Sequence, residues 1–118
     1  MSNEWVVDAD PDLLAKVRFD GNGLVPCIAQ DMQSREVLMM AWMNREALIQ
    51  TLEGGRVTFF SRSRSQIWKK GASSGNIQVA HRIRLDCDFD VLLAEVEQLG
   101  PSCHTGARTC FTREVSDG

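Results

Sequence analysis

The residues from Asn76 to Asp90 constrain the fold of this chain most strongly, because apolar and polar side chains alternate along them. The first set of alternating positions is mainly apolar and consists of Ile77, Val79, His81, Ile83, Leu85, Cys87 and Phe89. The second set is mainly polar and consists of Gln78, Ala80, Arg82, Arg84, Asp86, Asp88 and Asp90. A two-residue period is typical of a β-strand with one buried face, so we predict such a strand over residues 76–90.

Two short helices are predicted from the residues that would begin and end them. Asp10 can cap a helix over residues 10–17. Asn44 begins a second helix over residues 45–52, and the pair Gly54-Gly55 ends it.

Further strands are predicted on both sides of the alternating segment. Residues 24–32 and 36–43 are apolar runs separated by a turn, which indicates an antiparallel hairpin. Residues 56–61 and 108–115 also favour strands. Residues 91–99 alternate like a strand although their composition suits a helix, and we favour the strand. The predicted fold class is α+β, with a mainly antiparallel sheet and two or three short helices.

Length and charge narrow the classes of protein that fit. A chain of 118 residues is the size of one domain and buries roughly two thirds of its unfolded surface without disulfides. The net charge of -3 gives no overall attraction to nucleic acid or to an anionic membrane. No apolar run approaches the ~20 residues of a membrane span, and the N-terminus lacks a secretory pattern. We therefore expect a cytoplasmic protein, in which cysteines are ligands or buried thiols more often than disulfides.

Three aspartates at the end of the predicted strand could bind a metal ion. At positions i, i+2 and i+4 of a strand, Asp86, Asp88 and Asp90 would project from one face. A hard cation such as Mg²⁺ or Ca²⁺ would relieve their mutual repulsion. A solvated acidic edge, partly neutralised by Arg82 and Arg84, is the alternative.

The strand pattern places Cys87 on the opposite face, where Cys103 and Cys110 are its candidate partners. Thiolates are soft ligands that favour zinc, and three cysteines leave a fourth coordination position open. An open position is typical of a catalytic zinc, which acidifies a bound water. No zinc-finger spacing is present, so buried free thiols remain an alternative. Cys27 lies inside an apolar strand and is predicted to be a core residue.

The two histidines differ in their expected surroundings. His104 directly follows Cys103, and an adjacent residue reaches the same metal only with strain. We therefore favour acid–base catalysis for His104 over a role as fourth ligand or simple loop residue. His81 lies on the apolar face of the predicted strand, where a hydrogen-bonded core histidine is the commoner role.

Residues 61–76 carry four cations and no acidic residue, and Ile67 with Trp68 indicates a packed loop. Glycines, hydroxyls and lysines together are typical of an anion-binding loop, here Lys69, Lys70, Gly71, Ser73, Ser74 and Gly75. A solvated loop is one alternative. An RNA contact that uses Arg62, Arg64 and Trp68 is another, although the acidic net charge counts against it.

Three blocks of this sequence together resemble the phosphoribosyl-AMP cyclohydrolase family of histidine biosynthesis. The blocks are 68–76 (WKKGASSGN), 86–90 (DCDFD) and 100–111 (GPSCHTGARTCF). The likeness extends over about residues 19–114. It implies hydrolytic opening of the adenine ring of 1-(5-phosphoribosyl)-AMP at the N1–C6 bond, which gives the formimino-AICAR ribonucleotide.

The resemblance also implies two metals and a partner subunit. Mg²⁺ is expected at the positions matching Asp86, Asp88 and Asp90. One Zn²⁺ per subunit is expected at the positions matching Cys103 and Cys110, with Cys87 supplied across the interface of an obligate, intertwined homodimer. The substrate is a small molecule, and neither nucleic acid nor a membrane is an expected partner.

Roles for further residues follow from the same resemblance and the chemistry of the reaction. His104 first, and His81 second, is expected to bring a proton to the departing N1. The expected substrate- and phosphate-binding residues are Lys69, Gly71, Ser73, Ser74 and Arg62. Ala72 departs from the family pattern, where an acidic residue is expected, and this leaves the detail of the phosphate loop open.

The resemblance bears on domain organisation as well. Many relatives carry a fused phosphoribosyl-ATP pyrophosphohydrolase domain. We expect residues 1–118 to form one cyclohydrolase domain, with the second activity on another polypeptide. Two other classes of function also fit the residues: a different metal-dependent hydrolase of phosphorylated nucleosides, and a zinc-stabilised RNA-binding module whose affinity falls steeply with salt.

Overall fold

The computed structural model describes residues 5–115 and contains two helices and six strands. The elements follow in chain order as α1 (Leu13–Lys16), β1 (Val25–Asp31), β2 (Val37–Met43), α2 (Arg45–Gly54), β3 (Thr58–Ser61), β4 (Gln66–Lys69), β5 (Gln78–Leu85) and β6 (Leu92–Gln98). The α+β class with a mostly antiparallel sheet is therefore confirmed.

Two hairpins form the main sheet, whose strand order is β2-β1-β6-β5. The pairs β1–β2 and β5–β6 are antiparallel, whereas β1 and β6 are parallel. A parallel pair needs a long crossover, and the segment containing α2, β3 and β4 provides it. β3 and β4 pair with each other as a separate two-stranded sheet.

The core lies on the central strands β1 and β6. Cys27, Leu92, Ala94 and Val96 are completely buried, as is Leu48 of α2. The strand interpretation of residues 91–99 and the core position of Cys27 are both confirmed. Burial raises the pKa of the Cys27 thiol to about 12, so this cysteine stays protonated and unreactive.

Helix α2 begins and ends where its capping residues predict. The side-chain oxygen of Asn44 accepts the Ala47 N–H at 2.8 Å. Gly55 has a φ of 79°, and its N–H donates to the Thr51 carbonyl at 2.9 Å.

Helix α1 is shorter than predicted and has a different cap. Asp12 occupies the N-cap position, while the Asp10 carboxylate accepts the Asp12 N–H at 2.8 Å. The carboxylate of Asp10 thus stabilises a turn before the helix, which is a common alternative use of aspartate.

The predicted strand over residues 76–90 is wrong at both its phase and its end. The register with β6 shifts between Ala80 and Arg82, so His81 occupies a β-bulge. Buried positions therefore pass from Gln78 and Ala80 to Ile83. A period-2 pattern cannot reveal such an insertion, because one extra residue exchanges the two faces.

Residues 86–91 form a turn after β5 instead of continuing the strand. Asp86 Oδ1 accepts the N–H groups of Asp90 and Val91 at 3.0 and 3.2 Å. Phe89 adopts a positive φ of 67° inside this turn. Aspartate side chains that bond their own backbone compete with the sheet ladder, and here the turn prevails.

Two further predictions need correction. The segment predicted as a packed loop contains β4, whose Trp68 ring lies 5.0 Å from the Phe59 ring between centroids. Residues 108–115 form no strand in the part of the chain that the structure describes. They run beside β2, where the Cys110 N–H donates to the Leu38 carbonyl at 2.7 Å.

Candidate active site

The turn after β5 brings three carboxylates together. Ligand oxygens of Asp86, Asp88 and Asp90 all lie within 4.8 Å of one another. Loss of hydration, followed by the charges of Asp86 and Asp88, raises the pKa of the Asp90 carboxyl. Clustered carboxylate oxygens are the donor set that Mg²⁺ or Ca²⁺ prefers, so these residues fit a hard cation. The convergence predicted from the sequence is therefore present, but a turn produces it rather than one face of a strand.

The segment 101–111, called the cysteine loop below, carries two of the predicted zinc ligands. Its own backbone closes it, because the Cys103 N–H donates to the Ala107 carbonyl at 3.0 Å. The Ser102 N–H likewise donates to the Arg108 carbonyl at 3.1 Å. These bonds fold the loop back on itself and bring Cys110 beside Cys103.

The two thiols of the cysteine loop influence each other's protonation. The Thr105 hydroxyl lies 3.0 Å from the Cys103 sulfur, and this hydrogen bond is the main cause that lowers the pKa of Cys103. Burial, followed by the hydrogen bond and charge of Cys103, raises the pKa of the Cys110 thiol. Paired thiols poised in this way fit a soft metal ion.

Lys70 contributes a positive charge to the same loop. Its Nζ donates to the Ser102 carbonyl at 2.5 Å. Its charge adds to the Thr105 hydrogen bond in lowering the pKa of Cys103, and it partly opposes the rise in the pKa of Cys110 that loss of hydration causes. Sequence reasoning placed Lys70 only in the anion-binding loop and did not connect it with the thiols. Nothing in the local sequence reveals this contact, because 32 residues separate its two partners.

Cys87 stands apart from this thiol pair within one chain. It is exposed in the turn after β5, with its sulfur 4.0 Å from Asp88 Oδ1. Within residues 5–115, the aspartates are the one group of three or more potential ligands that converge. The predicted strand faces that would separate Cys87 from the aspartates are absent, because the turn carries all four residues. The Cys87 sulfur nevertheless lies outside the group of convergent ligand atoms that the aspartates form.

A cleft of about 690 Å³ unites most of the predicted substrate-binding residues. Cys103 and His104 border it, together with Lys69, Gly71, Ser73 and Ser74 of the basic loop. Hydroxyls, a lysine and a glycine backbone are donors for an anion, and the imidazole lies beside them. The arrangement can hold a phosphorylated ligand next to a thiol-bound metal and an acid–base group.

Asn76 borders this cleft and lies close to the backbone of two glycines. Gly100 has a φ of 81°, and a Cβ there would lie 2.2 Å from Asn76 Oδ1. Gly71 has a φ of 79°, and a Cβ there would lie 2.4 Å from the Asn76 carbonyl carbon. Each glycine permits an approach that a side chain would obstruct.

Arg62 lies outside the cleft that holds the other predicted phosphate ligands. Its guanidinium covers the Trp42 ring at 4.7 Å, in an open groove that Trp68 shares with the cleft. Trp42 also borders a neighbouring cavity with Asp88 and Asp90. The sequence contains no indication of a role for Trp42. This residue borders both the groove that contains Arg62 and the cavity that contains Asp88 and Asp90.

His81 is not a core residue, contrary to the prediction from its strand position. Its side chain is 45% exposed, and its Nε2 lies 3.6 Å from Glu97 Oε1. The bulge turns it outward, and it does not border the cleft that contains His104. The structure thus places the two histidines in different surroundings.

The fold and the site together define a small α+β protein with a thiol pair, three clustered carboxylates at residues 86–90, and a cleft lined by lysines, hydroxyls and a histidine. Potential metal ligands and acid–base groups gathered around a cleft are typical of an enzyme active site. Within residues 5–115, no helix is long and apolar enough to cross a bilayer.

Comparison with known proteins identifies the family. The family model for phosphoribosyl-AMP cyclohydrolase matches residues 39–112, which include the carboxylate turn, the basic loop and the cysteine loop. The phosphoribosyl-AMP cyclohydrolase of Rhodospirillum centenum is 58% identical over 106 residues, covering 90% of this chain and 80% of that protein. The corresponding protein of Dinoroseobacter shibae is 58% identical over 104 residues, or 88% of this chain and 87% of that protein. That of Burkholderia mallei is 54% identical over 112 residues.

This chain belongs to the phosphoribosyl-AMP cyclohydrolase family, and it is an enzyme of the hydrolase class. The resemblance inferred from the three sequence blocks is therefore confirmed.

Proposed function

We propose that this enzyme opens the adenine ring of 1-(5-phosphoribosyl)-AMP at the N1–C6 bond, as a step of histidine biosynthesis in the cytoplasm. The observation that carries the proposal is that one cleft is lined by Cys103 and His104 and also by Lys69, Ser73 and Ser74. The substrate has two phosphate groups and a cationic purine, so it needs an anion-binding wall beside the reacting ring.

Zinc is the proposed metal of the cysteines, since thiolates are its preferred soft ligands. The Thr105 hydroxyl and the Lys70 charge both favour the ionised form of Cys103 that a metal requires. When bound, zinc would supply a water acidified to near neutral pH for attack on the ring carbon. The aspartates of the turn would hold Mg²⁺, which would neutralise phosphate charge.

A homodimer is proposed because Cys87 stands apart from Cys103 and Cys110 within one chain. A partner's turn could bring its own cysteine to the pair and complete a three-thiolate site. Apolar side chains at the surface, among them Val37, Met40 and Phe111, are at least 42% exposed and would be covered at such an interface.

The remaining steps belong to side chains of the cleft. Lys69, Ser73 and Ser74, with the backbone at Gly71, would bind phosphate oxygens and fix the purine relative to the thiols. Hydrolysis breaks the N1–C6 bond: the water oxygen becomes the carbonyl oxygen of a carboxamide at C6, one water proton goes to N1, and the other is released because the purine starts as a cation. His104 is the proposed carrier of the proton that goes to N1, and His81 is the second candidate.

The test is incubation of purified enzyme with phosphoribosyl-AMP while the ring-opened formimino product is followed. AMP serves as the control substrate, because it lacks the ribosyl group on N1. Loss of turnover with a chelator and its return with zinc are expected. A folded, zinc-loaded enzyme that leaves phosphoribosyl-AMP unchanged would overturn the proposal.

The histidine variants test the assignment of the proton carrier. His104→Ala should retain zinc and lower kcat by about 10²- to 10⁴-fold. The loss for His81→Ala should be smaller, since its side chain lies away from the cleft. The opposite ranking would transfer the acid–base role to His81.

A further inference from the structure

Arg108 attaches the cysteine loop to the first hairpin. Its Nη2 donates to Asp31 Oδ1 at 3.0 Å, and its Nε donates to Glu36 Oε1 at 3.0 Å. Asp31 is the last residue of β1, and Glu36 directly precedes β2. The guanidinium therefore binds both ends of the turn that joins these strands.

The Asp31 carboxylate is held in place by its own turn, independently of its contact with Arg108. The residue is 8% exposed, and its Oδ2 accepts the N–H groups of Ser34 and Gln33 at 2.8 and 3.1 Å. The remaining oxygen, Oδ1, is left to receive Arg108. A carboxylate held by two amides loses little conformational freedom when it binds a guanidinium, which favours a defined geometry.

Arg108 also contacts both halves of the cysteine loop. Its carbonyl accepts the N–H of Ser102, the residue before Cys103. On its other side, the Thr109 hydroxyl donates to the Val37 carbonyl at 2.7 Å. The Cys110 N–H then donates to the Leu38 carbonyl at 2.7 Å. The position of Arg108 thus sets where Cys110 lies relative to Cys103.

We propose that Asp31 is a positioning residue of the metal site: through Arg108 it holds Cys110 at the separation from Cys103 that the metal requires. This inference rests on the proposed zinc site. Asp31 touches neither thiol, so its effect is on the metal affinity of the loop. Residues that orient metal ligands in this way typically contribute about 10- to 100-fold to metal affinity.

The contribution of Asp31 to metal binding is separable from its contribution to folding. A purely structural role would lower the melting temperature and leave the affinity of the folded protein for metal unchanged. A positioning role lowers the affinity of the folded protein, with a weaker thiolate-to-metal charge-transfer band. Cobalt(II) is the suitable probe, because it takes the ligands of zinc and reports on thiolate coordination by absorbance.

The experiment titrates the full-length metal-free protein with cobalt(II), alongside melting curves by circular dichroism. Asp31→Asn is expected to bind cobalt about 10- to 100-fold more weakly than the unchanged protein. Asp10→Asn is the matched control, since it makes the same chemical change in an exposed ion pair with Lys16. Its cobalt affinity should equal that of the unchanged protein.

A second variant tests the route through Arg108 and guards against unfolding of Asp31→Asn. Arg108→Lys keeps the charge but loses the two-pronged contact, on a side chain that is 48% exposed. It should show the same loss of cobalt affinity. The double variant should lose no more than Arg108→Lys alone, because both changes remove one connection.

The outcomes separate this inference from the proposed function. If the unchanged protein binds cobalt through thiolates and both variants bind it equally well, the positioning role of Asp31 is refuted and the zinc site stands. If the unchanged protein shows no thiolate-to-cobalt band, the zinc site itself is refuted, and the positioning role with it.

Discussion

Substituting Gly71 and Gly100 tests how closely the backbone at each glycine must approach Asn76. Gly100 and Gly71 have φ values of 81° and 79°, where an alanine is strained. They differ in what a Cβ would meet. At Gly100 the obstacle is the Asn76 side chain, at 2.2 Å from Oδ1, whereas at Gly71 it is the Asn76 backbone, at 2.4 Å from the carbonyl carbon.

The magnitudes follow from these two obstacles. A left-handed conformation costs an alanine about 1–2 kcal/mol. At Gly100 the Asn76 side chain can rotate away at about 0.5–1.5 kcal/mol, so Gly100→Ala should destabilise the protein by about 2–3 kcal/mol. At Gly71 the backbone of Asn76 must move. This adds about 1–3 kcal/mol to the cost of the left-handed conformation, and no side-chain rotation can relieve it.

The assay is a pair of double-mutant cycles measured by urea unfolding at one protein concentration. Adding Asn76→Ala should restore about 1 kcal/mol to Gly100→Ala and nothing to Gly71→Ala. The m-value, which is the slope of the unfolding free energy against urea concentration, should be the same in all variants. Equal rescue of both glycine variants, or rescue of neither, would refute the assignment of the two obstacles.

Three further predictions concern charge, assembly and metal. Hydrogen bonds from Ser34 and Gln33, with the charge of Arg108, lower the pKa of the Asp31 carboxyl. The ionised carboxylate therefore stabilises the folded protein at neutral pH, and this stabilisation is lost as the pH falls below about 3.9, the usual pKa of an aspartate. The difference in unfolding free energy between the unchanged protein and Asp31→Asn should therefore shrink between pH 7 and pH 3, and an unchanged difference would contradict this. Inactive Cys87→Ala and Cys103→Ala proteins should recover about a quarter of full activity when their subunits are exchanged, because a mixed dimer has one intact site. No recovery despite demonstrated exchange would argue against a shared site. Chelation should abolish turnover while the far-ultraviolet circular dichroism persists, since the candidate ligands Cys87, Cys103 and Cys110 lie outside the buried core; loss of the fold with the metal would show a structural role instead.

Elements with strong local signals were predictable from the sequence. Helix α2 has an asparagine that caps its first turn and a glycine that ends it, both confirmed by hydrogen bonds. The hairpin of β1 and β2 consists of two apolar runs joined by a short turn. In each case, residues within a few positions of one another supply the stabilising contacts.

Predictions that depended on continuing a local pattern were less reliable. Alternation through His81 and beyond Leu85 suggested one long strand, but a bulge and an aspartate-stabilised turn interrupt it. The bulge depends on pairing with β6, and periodicity contains no information on such pairing. β4 was predicted as a packed loop, because the strand forms only by pairing with β3, where Trp68 lies against Phe59.

The sequence by itself determined the family and the kinds of donor atom at the candidate sites, because the residue types in its three blocks specify which donors are available. It also predicted that Asp86, Asp88 and Asp90 could share one cation. Only the tertiary structure decided how these donors are placed. The aspartates meet in a turn, Lys70 reaches the cysteine loop across 32 residues, and Arg108 binds Asp31 across 77. Cys87, which the strand pattern had set on the face opposite the aspartates, shares their turn and remains apart from the thiol pair. The physical reason is that ligand type is a property of single residues, whereas ligand geometry depends on contacts between segments far apart in the chain.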